Sequence, residues 1–142
     1  MPTFRHGKGT VIKIVDSGGV VRDISTTLHD STFPETADTA ETSAFGTFDK
    51  TYVIGLKGHQ ITLQGMFDAT TDGYFAGILG LDIAGAYTGA WVYGPEGSTN
   101  GFVKYTGTAL CSEYSKQNSL GGMVGYSATL MVTGVVTRGV FP

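Results

Sequence analysis

The chain has 142 residues, of which 41% are hydrophobic and only 15% charged, with a net charge of −3. That length suits a domain able to hold a core without metal or disulfide staples, and the apolar content excludes a disordered tail. The nine Lys and Arg are scattered rather than gathered into a basic patch, which argues against a freely diffusing nucleic-acid binder.

In chain order, Met1 to Lys8 is polar and lacks the apolar stretch of a secretory signal. Thr10 to Val15 is rich in β-branched residues and predicts a strand, Asp16-Ser17-Gly18-Gly19 a turn, and Val20 to Ile24 the hairpin partner. From Ser31 to Ala44 no apolar period is visible, and the charges, Glu35, Asp38 and Glu41, are all acidic. This stretch predicts a solvated loop, mobile in the free subunit and long enough to have a role in assembly.

Thr51 to Ile54 predicts a short strand and Gly55-Leu56-Lys57-Gly58 a turn. His59 to Phe67 then alternates: Ile61, Leu63 and Phe67 on one face, Gln60, Thr62 and Gln64 on the other. That period of two predicts a half-buried strand. A capping residue before an apolar run predicts one short helix over Thr71 to Leu81, weakened by Gly73, Gly77 and Gly80.

Tyr87 to Tyr93, centred on the only tryptophan, Trp91, predicts another strand, closed by a turn at Gly94-Pro95-Glu96-Gly97. Two long alternating segments follow, Gly101 to Lys116 and Met123 to Arg138. Val103, Tyr105, Ala109 and Cys111 share one face of the first; Thr129 and Thr133 lie on the polar face of the second. Strands of that length exceed the usual five or six residues. Gly107, Gly125 and Gly134 are candidate bends, and a sheet larger than one subunit is the other reading. With 22 glycines and 20 threonines, the whole reads as mainly β, a β-sandwich or partial barrel with one flanking helix.

Chemistry-bearing constellations are scarce. No nucleophile elbow or phosphate loop occurs. His6, His29 and His59 lack metal-ligand spacing, and Cys111 on an apolar strand face reads as a buried inert thiol. Asp68 and Asp72 fit helix capping and the helix dipole better than acid–base work. Trp91, Phe67 and Tyr52 read as core. No catalytic residue, metal or cofactor is expected, and no run of apolar residues is long enough for a membrane-spanning helix.

The stretch Ala44 to Asp68 resembles the tail tube (major tail) proteins of long-tailed bacteriophages. An acidic, Thr-rich segment precedes a Lys-x-Tyr-x-x-Gly-Leu motif, matched by Lys50, Tyr52, Gly55 and Leu56. An alternating strand then ends in Gly-x-aromatic-Asp, matched by Gly65, Phe67 and Asp68. The resemblance implies one tube-like domain over residues 1–142, assembled as hexameric rings stacked into a hollow tube, with the sheet shared between subunits. It implies a virion component, made in the host cytoplasm, that meets other tail proteins at the tube ends and lets genome DNA pass without specific binding.

On that basis Ser31, Glu35, Asp38, Glu41 and Ser43 are candidates for ring stacking, and Gln60, Thr62, Gln64, Thr129 and Thr133 for the lumen wall. Neutral hydrogen-bonding side chains would keep such a wall wet without pairing phosphates. Two other readings compete. One is a head–tail joining or tail-completion protein of the same fold, forming a single ring. The other is a soluble β-sandwich binding module with Trp91 and Tyr93 as a platform.

Overall fold

The computed structural model describes residues 4–83 and 87–142; Met1, Pro2 and Thr3 of the polar N-terminus lie outside the described residues. The predicted first hairpin is present as β1 (Val11–Val15) and β2 (Val21–Asp23). Asp16 builds its turn: Oδ1 accepts the backbone N–H groups of Gly18 and Val20, each at 2.9 Å, and Oδ2 accepts from Arg22 Nε at 2.8 Å. The Arg22 bond is the main reason the Asp16 carboxyl titrates below the usual carboxylate range.

The other elements are β3 (Leu28–Thr32), β4 (Glu35–Glu41), β5 (Tyr52–Met66), α1 (Ala69–Ile78), β6 (Ala90–Gly94), β7 (Val103–Gln117) and β8 (Gly125–Val140). All named strand pairs are antiparallel, and the strands form one 8-stranded sheet in the order β2-β1-β6-β7-β8-β5-β3, with β4 pairing β5 off that path. The sheet curls into a half-barrel, so the expected partial barrel with a single flanking helix is what forms.

Two sequence expectations fail on β4 and β5. The stretch Ser31 to Ala44 is not a loop: it holds the end of β3 and all of β4. Gly55-Leu56-Lys57-Gly58 is not a turn either, because β5 runs straight through it for 15 residues. Both errors have one cause. Strand formation here is decided by cross-strand pairing, which an isolated window of sequence does not display. The helix also starts and stops earlier than predicted. Asp68 is its N-cap, its carboxylate accepting from the N–H groups of Thr70 and Thr71 at 3.2 Å each. The helix ends at Ile78, and Gly80, at φ +74°, turns the chain away.

The core lies on one face of the sheet. Ile12 and Ile14 of β1, Ile61 and Leu63 of β5, Trp91 of β6, Ala109 and Cys111 of β7, and Tyr126, Ala128 and Leu130 of β8 are all buried there. The helix adds Phe75 and Ile78. Phe75 stacks on Tyr114 with centroids 5.2 Å apart, and the Tyr114 hydroxyl donates to Asp72 Oδ1 at 2.7 Å. Phe33, between β3 and β4, contacts Trp91, Tyr93 and Tyr105 at 5.4–5.7 Å and stacks on His59 at 5.9 Å. It ties the β3–β5 side of the curl to β6 and β7. Trp91 and Cys111 are core, as read; Phe67 and Tyr52 are not, being exposed beyond or before the buried half of β5.

Two irregularities bend the long β7–β8 pair. Between Thr106 and Thr108 the partner strand carries extra residues around Gly134, whose φ of +83° suits glycine. A second register shift falls between Cys111 and Glu113. Gly107 and Gly134 are therefore bends as expected, whereas the register through Gly125 is regular.

Gly65 is required for a different reason. A Cβ there would stand 2.2 Å from the Thr27 carbonyl oxygen and 3.0 Å from the Tyr126 ring. Gly65→Ala should cost more than about 1 kcal/mol, while Gly73→Ala, in open space on α1, should stabilise by about 0.4–1 kcal/mol. Thermal denaturation of the two variants side by side checks the opposite signs.

Alkaline pH offers a second test. Burial, then the bond to Asp72, pushes the Tyr114 hydroxyl well above its ordinary value; burial also raises Tyr87, Tyr93 and Tyr126. A raised folded-state pKa means that stability is complete below the unfolded value, about 10, and is lost as pH climbs above it. Denaturant titrations should show a fall in stability above about pH 10, with a shallower slope in Tyr114→Phe.

Candidate assembly surfaces

The face of the sheet opposite the core is the first surface. Register places its residues in rows across β3, β5, β8 and β7. Thr32, Thr62, Thr129 and Glu113 form one row; Gln64 stands between Asp30 and Ser127, with Ser115 beyond; Gln60 stands beside Met131 and Leu110. Thr133 continues the face opposite Thr108, whose hydroxyl donates to the Thr133 carbonyl at 2.6 Å. Gln60, Thr62, Gln64, Thr129 and Thr133 thus share one face, as their alternation predicted.

These residues are half-buried or exposed, while their strand neighbours Ile61, Leu63, Ala128 and Leu130 are buried. In the rows through Gln60, Thr62 and Gln64 the only charges are the carboxylates of Asp30 and Glu113. Sequence alternation alone missed both. Glu113 faces this way only because of the shift after Cys111, which also turns Tyr114 toward Phe75 on the core side.

The second surface is an arm. β4 pairs with the first half of β5 and with nothing else: Glu35↔His59, Thr36↔Gly58, Ala37↔Lys57, Thr39↔Ile54, Ala40↔Val53 and Glu41↔Tyr52. Every residue of β4 is exposed. Glu35, Asp38 and Glu41 therefore sit on a projecting hairpin, not on a loop. Ser31 is apart from them, half-buried on β3 opposite Leu63. Ser43 is at the arm's far end, its Oγ accepting the Thr51 N–H at 2.9 Å.

The tip is locally closed. Thr42 donates its N–H to the Thr51 carbonyl at 2.7 Å, and the Thr47 hydroxyl donates to the Ala44 carbonyl at 2.6 Å. Phe45 and Phe48 project from it fully exposed, and Lys50 lies beside them. The motif residues Tyr52, Gly55 and Leu56 lie along the arm, with Asp38 Cβ 3.3 Å from where a Gly55 Cβ would be. Gly65, Phe67 and Asp68 lie at the other end of β5, as the close-packed glycine, the residue after the strand and the helix cap.

Beneath the arm, Glu35, Lys57, His59, Tyr105, Val136 and Arg138 line a cleft. Cys111 is buried, and its burial raises the thiol's pKa, which makes a thiolate nucleophile unfavourable there. Trp91 is 2% exposed, so the platform envisaged for a binding module does not exist.

No family model matches the chain, and no curated protein matches it by sequence. Solved structures do match along nearly its whole length. The chain superposes with a TM-score of 0.75 on a protein from the tail of an empty gene transfer agent particle of C6 symmetry, at 14% identity, covering 96% of this chain and 100% of that one. With a protein of the anti-feeding prophage baseplate, 6-fold symmetrised, the TM-score is 0.73 at 10% identity, covering 99% and 98%. With the SPP1 tail tube it is 0.66 at 10% identity, covering 96% and 80%.

A two-stranded arm lacking a third strand is marginally stable in water. The β4 amides of the free subunit should therefore exchange with solvent far faster than those of Thr62 to Gln64, which β3 and β8 flank. Hydrogen exchange read by mass spectrometry checks this; equal protection would mean the arm is rigid by itself. The curled eight-stranded sheet with its single helix is the fold of phage tail tube proteins, carried here with an uncovered polar face and an unsupported arm.

Proposed function

We propose that this chain is a structural subunit of the tail tube of a long-tailed phage or phage-like particle, acting as one domain over residues 1–142 and doing no covalent chemistry. Copies form rings, six to a ring as in the symmetric neighbours, and the rings stack into a hollow conduit for the genome. The observation that carries this reading is the uncovered polar face of β3, β5, β8 and β7. A sheet face of hydrogen-bonding residues with carboxylates and no partner layer is suited to line a water-filled channel. The end-to-end likeness to tail tube structures supports it.

In this assembly the open sheet edges of neighbouring copies join, and Gln60, Thr62, Gln64, Thr129 and Thr133 face the lumen. Asp30 and Glu113 repel phosphate, so DNA slides without sticking. Glu35, Asp38, Glu41 and Ser43 belong to the arm that reaches another ring, while Ser31 stays with its own sheet. The subunit waits in the host cytoplasm, becomes part of the virion on assembly, and meets other tail proteins at the tube ends.

A single-ring joining or completion protein would share the fold. Electron microscopy of concentrated protein separates the two: long tubes support the tube subunit, and isolated rings at every concentration overturn it.

The lumen has its own test. Thr62 and Thr129 are directly opposite in register, so Thr62→Lys with Thr129→Lys sets two cations side by side in each copy. That is about twelve per six-copy ring, and each phosphate contact adds roughly 0.9 to the salt slope of DNA binding. The double variant should assemble but retard DNA, with ejection becoming salt-sensitive. Normal ejection at low salt would place these threonines outside the channel.

A further inference from the structure

Just past β8, Phe141 lies against a tight turn. In Thr99-Asn100-Gly101-Phe102 the Phe102 N–H donates to the Thr99 carbonyl at 3.0 Å, and Gly101, at φ +89°, fills the position where such a turn favours glycine. Two bonds tie this turn to Phe141. The Gly101 N–H donates to the Phe141 carbonyl at 2.9 Å, and the Phe141 N–H donates to the Phe102 carbonyl at 2.9 Å. The Phe141 ring packs on Gly94, where a Cβ would stand 2.9 Å from it. Asn100 and Gly101 are themselves exposed.

We propose that Asn100–Gly101 is a site of spontaneous self-modification, deamidation through a cyclic imide, and that Phe141 is the clasp that holds it off. The inference stands independently of the tube reading.

The chemistry needs only water. The Gly101 backbone nitrogen gives up its proton and attacks Asn100 Cγ. A bond from that nitrogen to Cγ forms, the Cγ–Nδ2 bond breaks, and Nδ2 leaves as ammonia with the proton. Water then opens the five-membered imide at either carbonyl, giving Asp or its β-linked isomer; nothing is oxidised or reduced. Glycine suits the attacking position because no side chain crowds its nitrogen. In the closed turn that nitrogen is engaged, its N–H held by the Phe141 carbonyl, and the Thr99–Phe102 bond opposes the rotation that would bring it onto Cγ.

The chain's other Asx–Gly pair is Asp72–Gly73. It lies inside α1, with Asp72 Oδ1 accepting from the Tyr114 hydroxyl at 2.7 Å, so helix and side chain both restrain it. At Asn100 the restraint is two backbone bonds and one half-buried ring, which open far more readily than the β7–β8 ladder. The β-linked product carries an extra backbone carbon, with which the turn cannot re-form both bonds to Phe141. It also adds a carboxylate to a chain of net charge −3. Release of the clasp is therefore one-way.

Peptide mapping by mass spectrometry tests this on the full chain held at mildly alkaline pH, with Asn118, the other asparagine, as internal reference. In denaturant Asn100 should convert to Asp and its isomer well ahead of Asn118, which precedes serine. In the folded chain Asn100 should react slower by roughly tenfold or more, about what two or three net hydrogen bonds amount to. Phe141→Ala should restore most of the denatured rate at Asn100, leave Asn118 unchanged, and speed hydrogen exchange at the Gly101 and Phe102 amides. If that variant loses the parent's cooperative melting, the milder Phe141→Leu takes its place. No conversion of Asn100 in the denatured chain overturns the site. Equal rates in the folded and denatured chains, or a folded Phe141 variant that leaves the rate unchanged, overturn the clasp.

Discussion

Everything in this molecule depends on β5 being paired twice along one half and once along the other. From Gln60 to Met66 it is paired with β8, and from Thr62 to Gly65 with β3 as well, and there Ile61 and Leu63 are buried. From Tyr52 to His59 only β4 accompanies it, and nearly every side chain is wet. One continuous hydrogen-bonded strand thus runs from the core out into the projecting arm. A loop of equal length would have to lose all its ordering entropy at the moment of contact, whereas a marginal hairpin has part of that cost already met by its pairing.

The sheet has a comparable asymmetry between its faces. The helix and the β1–β2 hairpin contribute to the core on one side, with Phe33 joining the two flanks of the curl. None of the described residues forms a layer over the other side at the rows of Gln60, Thr62 and Gln64. Tyr114 and Lys116 emphasise the difference: after the register shift both turn to the core side, where the Lys116 ammonium lies 5.1 Å from the Tyr114 ring centroid. The cation leaves the polar face, and Glu113 is what remains there.

Much of this was legible in the sequence, for definable reasons. The alternation of Ile61 and Leu63 against Gln60, Thr62 and Gln64 is strict, and it assigned the two faces correctly. Turn chemistry at Asp16 and capping at Asp68 are local, so they too could be read. Glu35 to Glu41 could not, because ETADTAE has no apolar period and becomes a strand only through its partner. Gly55 and Gly58 looked like a turn for the same reason. The exposure of Tyr52 and Phe67 was invisible because an aromatic residue on a strand is usually core, and only the length of β5 shows that both lie past its buried half. The shift after Cys111 carries no glycine to announce it, so Glu113 was missed.

That shift has a consequence of a genetic kind. Since side chains alternate with a period of two, a strand has something like a reading frame. Ser112 is the extra residue of the shift, so deleting it would leave Cys111↔Leu130 followed at once by Glu113↔Thr129 with the sides unchanged, whereas a residue inserted after Glu113 would exchange the two sides for everything downstream up to Gln117. With that insertion Tyr114 would swing away from Phe75 and Asp72. Single-residue insertions after Glu113 should therefore be far less tolerated than loss of Ser112, and chains related to this one should diverge freely in letters beyond the shift while keeping the count from Glu113 to Gln117.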